Sequence, residues 1–366
     1  MAFSKEHRKG TISGIIFVAL VAASATYIAN LAPIKGLGIS ALVVGIVIGI
    51  FYANTLHNHF PREWETGIVF SGKKILRFAI VFYGFRITFQ QIAAVGVDGF
   101  MVSLIMLSST FIIGTWIGHK IFKMDLDTSM LTASGAAVCG AAAVLATEPV
   151  LKSEGHKTAV AVSMVVLFGT VSMFLYPVMY QTLIAPAAGF LHLTPEQFGI
   201  YTGGTIHEVA QVVAVPFSIP GSPIEMANSA VIVKMTRVIM IAPMLIVLGL
   251  YLSFQAKKTG SVAGGVQLVI PWFAVYFIGM AGVNSLIEYY LSGGGATIAE
   301  TVHGIIGGVN EIDTFLLTMA MTALGMGTRF AKFKGLGIAP LYTGAAMFAW
   351  LVIGGFLVTK AVTTIF

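Results

Sequence analysis

A chain of 366 residues in which 57% are hydrophobic and only 10% charged departs from ordinary soluble domains, where about a quarter of residues carry charge, and is expected to lie in a membrane. Its formal charge of +6 would suit nucleic acid in a soluble protein, but the basic residues fall in short loops between apolar runs, where they orient a membrane chain; no nucleic-acid partner is expected. The single cysteine, Cys139, excludes an intrachain disulfide and a cysteine-based metal cluster.

The apolar runs are close to spanning length and do not alternate in period two, which predicts helices rather than a barrel, and hence an all-α polytopic membrane protein. Eleven segments follow in order, at approximately 11–33, 37–55, 67–90, 99–122, 127–148, 157–184, 197–216, 226–254, 267–289, 303–327 and 338–364. Lys5, His7, Arg8 and Lys9 precede the first run in the manner of a signal peptide, but Ile12 to Ala32 is long for a signal core, so an uncleaved first helix is expected. With the N-terminus in the cytoplasm and eleven crossings, the inner loops collect Lys5, Arg8, Lys9, Arg62, Lys73, Lys74, Arg77, Lys120, Lys123, Lys257, Lys258, Arg329, Lys332 and Lys334. The outer loops then hold only Lys35, Lys152, Lys157 and Lys360. Arg86, Lys234 and Arg237 fall inside apolar runs instead.

An odd count suggests one leading helix, 11–33, followed by two inverted five-helix repeats, about 37–184 and about 197–364, in a single transport domain 1–366. Under that pairing the fifth segment, with Ser134 and Gly135 in a run of small residues, matches the tenth. The tenth would then carry the second broken helix at Gly325, Gly327 and Thr328. Two echoes pull against this register. Gly84-Phe-Arg-Ile-Thr-Phe resembles Gly325-Met-Gly-Thr-Arg-Phe, which pairs the third segment with the tenth, and Ala133-Ser-Gly resembles Thr202-Gly-Gly, which links the fifth to the seventh.

The seventh segment holds the densest chemistry, with Gly203, Gly204, Thr205, His207, Glu208 and Gln211 inside an otherwise apolar run. An ionisable group in hydrocarbon costs about 2.5–3.5 kcal/mol on insertion scales, so it is expected to face a cavity or a partner. His207 and Glu208, with Gln211, are expected to couple transport to an ion, and the glycines to break the helix. The competing reading is a structural polar cluster. Gln211 occupies the position where a zinc hydrolase needs its second histidine, so no metal is expected.

Lys234 and Arg237, at i and i+3, share a helical face and are expected to attract the substrate, together with half-helix ends formed by Ser134, Gly135, Gly203, Gly204 and Thr205. Against this stands snorkelling, or a counter-ion role toward Glu208. Gly36-Leu-Gly-Ile-Ser-Ala lacks the third glycine of a dinucleotide loop and no phosphate-binding loop is visible, so neither ATP nor any other cofactor is expected. No nucleophile and base stand paired in the sequence, so an enzyme is not expected; an intramembrane enzyme in which Cys139 meets His207 in space is the lesser alternative.

The run Gly135-Ala-Ala-Val-Cys-Gly-Ala-Ala-Ala, the motif His207-Glu208-Val-Ala-Gln211-Val, the stretch Val233-Lys234-Met-Thr236-Arg237-Val and Gly84-Phe-Arg-Ile-Thr together resemble the YeiH-type family of conserved bacterial membrane proteins. The resemblance covers nearly the whole chain. It implies a multi-pass protein of the bacterial inner membrane, and the family's sulfate-exporter label implies a secondary transporter of a small anion such as sulfate or a sulfonate, with a proton or sodium ion as coupling ion. A cation/proton antiporter using Glu208 is the alternative, and a homo-oligomer in the bilayer is in keeping with either.

Overall fold

The computed structural model describes residues 8–36, 40–259, 271–292, 296–333 and 337–365. Lys5 and Lys334, counted above on the inner side, and part of the Gly36-Leu-Gly-Ile-Ser-Ala stretch lie outside them. Among the described residues every regular element is helical, as a bilayer demands of a chain that must satisfy its own backbone within each segment. In chain order the helices are α1 (Arg8–Ala29), α2 (Ala41–His59), α3 (65–83), α4 (Phe89–Ile121), α5 (Leu126–Ala137), α6 (Ala141–Leu151), α7 (Gly155–Ile184), α8 (Pro195–Thr205), α9 (Val209–Phe217), α10 (Ile224–Ile239), α11 (Ile241–Thr259), α12 (Trp272–Ser292), α13 (Ala296–Gly327) and α14 (Ile338–Ile365). They group into two compact units. The first holds α1–α3, α12 and α13; the second holds most of α4 together with α5–α11 and α14.

In the first unit α2 and α13 pack along small residues. A Cβ on Gly45 would meet the Thr322 hydroxyl at 2.5 Å, and one on Gly325 would meet the Gly49 Cα at 3.0 Å, the close backbone approach that small residues four apart allow in membranes. Val18, Ala22, Tyr52, Ile68, Met319, Ala323 and Met326 form the core around this contact. The expected second broken helix at Gly325, Gly327 and Thr328 is not there: α13 runs unbroken from Ala296 to Gly327. Gly325 serves the packing instead, and Thr328 closes the helix, its amide donating to Gly325 O at 2.9 Å and its hydroxyl to Leu324 O at 3.0 Å.

In the second unit the fifth and seventh segments are both interrupted, and neither crosses the membrane. Helix α5 starts at Asp125, whose side chain accepts from the Thr128 amide, and ends where Val138 leaves helical space and Gly140 takes φ +75°. Leu131 of α5 and Val144 of α6 then share one cluster with Ala161 and Val165 of α7. In a continuous helix those two residues would stand about 20 Å apart, so α6 folds back along α5 as a hairpin. Lys157, at the start of α7, pairs with Asp125 and Asp127 at 3.0 Å each. The chain therefore returns to the side it left.

The seventh segment behaves in the same way. Thr194 and Gln197 form a reciprocal capping box that starts α8 at Pro195. Going up α8, a Cβ on Gly199 would meet Ser229 at 3.0 Å and one on Gly203 would meet Val233 at 2.9 Å, so α8 and α10 run parallel and in step. Pro195 and Ile224 are then level, and α9 must carry the chain back between them. Consistently, Lys360 near the end of α14 donates to His192 O at 2.8 Å. Eleven crossings would put Asp125 and Lys157, and likewise His192 and Lys360, on opposite faces of the membrane. These contacts make the fifth and seventh segments re-entrant hairpins rather than crossings; among the described residues six helices are long and apolar enough to cross a membrane.

Helix α7 is the ruler between the hairpins. From its start it meets Asp125 and Asp127, then Leu131 and Val144, then Gln211 against Gly169, then Thr205 bonded to the Tyr176 hydroxyl, and lastly Phe198 against Tyr180. Its 30 residues span about 45 Å, enough to cross a hydrocarbon core of about 30 Å. The hairpins thus enter from opposite faces, and their tips meet beside the middle of α7.

Candidate functional site

The tips, 138–140 and 206–208, are joined by side chains of α10. Lys234 is fully buried and its ammonium donates to Val138 O, Ile206 O and His207 O, each at 2.7 Å. The three acceptors match the three hydrogens of an ammonium, which would leave none of its donors over. Arg237, one turn on and also fully buried, donates from Nε to Ala137 O at 3.1 Å, from one terminal nitrogen to Ala136 O at 3.1 Å and to Ala137 O, and from the other to Gly203 O at 3.3 Å. Both cations therefore cap the carbonyl ends of α5 and α8, where the helix dipoles are negative. Snorkelling does not occur, and the fork expected to face substrate is spent on backbone oxygens.

Glu208 sits where the amide ends meet. Its backbone N–H donates to the Gln211 side chain at 3.2 Å, half of a capping box on α9, and its carboxylate accepts from the Ala141 amide, the first of α6, at 3.1 Å. A carboxylate from one hairpin thus rests on the positive end of a helix in the other. Gly140 is part of this contact: a Cβ there would come within 2.6 Å of the Glu208 carboxylate.

Three further polar atoms at the tip of the second hairpin are buried without a hydrogen-bond partner: Thr202 Oγ1, His207 Nδ1 and Gln211 Nε2. Buried polar atoms are normally paired, by protein or by ordered water. His207 faces a cavity of about 10 Å³ lined also by Thr132, Ala136, Met164 and Phe168, room for about one water and no more. A larger groove of about 630 Å³ between α4, α5 and α11 is lined by Leu104, Phe111, Met130, Met244 and other apolar side chains and contains none of these residues.

The remaining expected residues divide. Gly203 and Gly204 lie within helical α8, and the break falls after them, at Ile206–Glu208. Ser134 donates to Leu131 O and Thr205 to Tyr201 O, so both hydroxyls are engaged locally. Gly135 is packed against Val144 and Val165. His207, Glu208, Gln211, Lys234 and Arg237 come together at the tips, whereas Gly325, Gly327 and Thr328 belong to the first unit. Asp313, buried in the first unit beside the partly exposed Arg86, was not singled out from the sequence; the signal was available, since Asp313 is a carboxylate inside the apolar run 303–327.

A family profile described as Conserved hypothetical protein 698 matches residues 13–344. The chain is 47% identical to a UPF0324 membrane protein of Pseudomonas putida over 97% of its own length and 94% of the relative's. It is 41% identical to a UPF0324 membrane protein of Bacteroides thetaiotaomicron over 96% and 98%, and 40% identical to the UPF0324 inner membrane protein YeiH of Escherichia coli over 97% and 96%. No solved structure matches the chain.

Proposed function

Since the chain belongs to the UPF0324 family of membrane proteins, whose names state a location and no activity, we propose its function from the site: secondary transport of a small oxyanion, such as sulfate or a sulfonate, coupled to a proton carried by Glu208. The observation that carries this reading is the meeting of two hairpin tips around two buried cations and one carboxylate. Each helix terminus counts for about half an elementary charge, so the two carbonyl ends and the two amide ends offset one another. Lys234 and Arg237 against Glu208 then leave a net charge of about +1. Such a site repels a cation and attracts an anion, which favours anion transport over the cation/proton antiporter.

Protonating Glu208 raises the balance to about +2 and releases the Ala141 amide, so that a doubly charged oxyanion and a proton enter the site together. Thr202, His207 and Gln211 supply the polar atoms that reach it. The cavity beside His207 is too small for a polyatomic anion, so loading requires the tips to part. Lys234 and Arg237 act here through charge and by holding the carbonyl ends, not by gripping the substrate. The repeat that suits this arrangement pairs 126–184 with 195–259, each a hairpin followed by a long helix, in line with the Ala133-Ser-Gly and Thr202-Gly-Gly echo. With both hairpins re-entrant, Lys152 and Lys157 move to the inner side and only Lys35 and Lys360 stay outside, which strengthens an N-in, C-out orientation in the bacterial inner membrane.

The test is uptake of radiolabelled sulfate and of taurine into proteoliposomes under an imposed pH gradient. Wild-type protein is expected to accumulate one of them only when the gradient is present, and Glu208→Gln, which keeps the shape and removes the titration, to lose accumulation while remaining folded. Accumulation by Glu208→Gln equal to that of wild type would remove Glu208 from coupling. A thermal-shift screen against sulfate, sulfite, taurine, chloride and sodium ranks the ligands independently, because whatever binds the folded state raises its apparent stability.

A further inference from the structure

The first unit holds a second buried charged group, remote in sequence from both hairpins. Asp313, halfway along α13, is 1% exposed, and among the described residues its one ion pair is with Arg86 Nε at 3.5 Å. Neither carboxylate oxygen accepts a hydrogen bond. A pair built for stability would set the carboxylate on the guanidinium fork with two short parallel bonds. Here one terminal nitrogen of Arg86 donates to Asn310 O and to the Thr314 hydroxyl and the guanidinium lies over the Tyr83 ring at 5.2 Å from its centroid, while Nε, the atom nearest the carboxylate, is buried without a hydrogen bond. Arg86 is anchored without Asp313.

The polar atoms around the pair share one deficiency. Asn310 Oδ1, one turn before Asp313 on the same helical face, has no donor. Asn284 Oδ1 has none either, while its amide nitrogen donates to Ile87 O at 3.2 Å, beside Arg86. Four buried acceptor atoms, two on Asp313 and one each on Asn310 and Asn284, stand against one donor atom without a hydrogen bond, Arg86 Nε, so acceptors outnumber donors and the missing component is a hydrogen. One proton on Asp313 turns an acceptor into a donor, removes an unsolvated charge, and leaves Arg86 held as before.

We propose that Asp313 is a proton-binding site, loaded and emptied while Arg86 stays in place. Among the described residues Arg86 from the turn at 84–86 pairs with it, Tyr83 of α3 lies against Arg86, and the neutral Asn284 of α12 bonds to Ile87 O beside them. Lys73, Lys74 and Arg77 of α3 are exposed, and Arg77 lies over Phe273. Glu288 of α12 is engaged with the exposed His303. Tyr52, His57 and Glu65 belong to the Arg329 end, about 24 Å away along α13. The site lies wholly within the first unit, so it stands whether or not the tips of the second unit carry an anion.

The experiment is infrared titration of the full-length protein in lipid nanodiscs, with and without carboxyl-13C aspartate. The chain has four aspartates, Asp98, Asp125, Asp127 and Asp313. A label-sensitive carboxylic-acid carbonyl band that titrates through the neutral range is expected in wild type. It should persist in Asp98→Asn and disappear in Asp313→Asn. Should Asp313→Asn fail to fold, a labelled band that persists both in Asp98→Asn and in the double variant Asp125→Asn/Asp127→Asn leaves Asp313 as its source, and its loss in either would overturn the assignment. No label-sensitive band at neutral pH, or a band retained in Asp313→Asn, would overturn the assignment. A sodium-specific stabilisation lost in Asp313→Asn without any such band would overturn it in favour of a metal cation.

Discussion

Replacing Lys234 with methionine tests whether this residue holds the hairpin tips together or serves only as a charge. Methionine keeps the length of the side chain and removes all three donors, leaving Val138 O, Ile206 O and His207 O without the partner each had at 2.7 Å. A buried acceptor left unsatisfied costs about 1–3 kcal/mol, so three of them cost about 3–9 kcal/mol, before any penalty for Glu208 left facing fewer cations. For domains of about 150–250 residues 1 kcal/mol moves the melting temperature by about 2–4 °C, which puts the drop for Lys234→Met at no less than about 6 °C. The assay is thermal unfolding in detergent, followed by tryptophan fluorescence and checked by size-exclusion chromatography of heated samples. Lys360→Met, which removes one exposed bond to His192 O, is the control and should stay within about 0.5 kcal/mol of wild type. If Lys234→Met melts with the control, the three carbonyls have found other donors and Lys234 does not join the tips.

Two other perturbations probe the hairpins and the start of α5. In a Cys139→Ala background, cysteines placed at Lys123 and Lys152 should react with an impermeant reagent from the same face of the membrane, and cysteines at His192 and Lys360 from the opposite one; labelling of Lys123 and Lys152 from different faces would restore a crossing fifth segment. Asp125→Asn weakens the N-cap of α5, and a cap is worth about 1 kcal/mol. Burial pushes the Asp125 carboxyl up, but hydrogen bonds from Thr128 and Lys157 outweigh it and hold the carboxyl below its ordinary value. The sign follows: the stabilisation is full above the unfolded carboxyl's pKa and is lost as pH falls through the lower folded value. Wild type and Asp125→Asn should therefore differ in melting at neutral pH and converge in acid. A difference that persists unchanged in acid would assign the effect to packing.

Much of the membrane character was legible in the sequence. Apolar runs of spanning length follow from the thickness of the bilayer, and the helical class follows from the need of each segment to satisfy its own backbone, so composition determines both. That His207, Glu208, Gln211, Lys234 and Arg237 would be drawn together inside the protein was readable for a related reason: polar and ionisable groups in hydrocarbon must have partners. What those partners are was not readable. Lys234 and Arg237 bond to carbonyl oxygens freed by chain breaks in α5–α6 and α8–α9, and a carbonyl is present at every residue, so no side-chain pattern announces which ones a cation will meet.

The two hairpins belong wholly to the tertiary structure. A run of some twenty apolar residues is equally suited to cross a bilayer or to enter, turn and leave, since either path buries the same side chains among other helices. Small residues at 133–143 and 199–205 signalled an interruption, but the direction of the chain after it depends on Val138 and Gly140 in one segment and on the parallel step of α8 with α10 in the other. Charge bias did not resolve the choice, because two misplaced crossings cancel and return the remaining loops to their proper sides. Only contacts between residues distant in sequence, Asp125 with Lys157 and His192 with Lys360, distinguish two segments that turn back from two that cross.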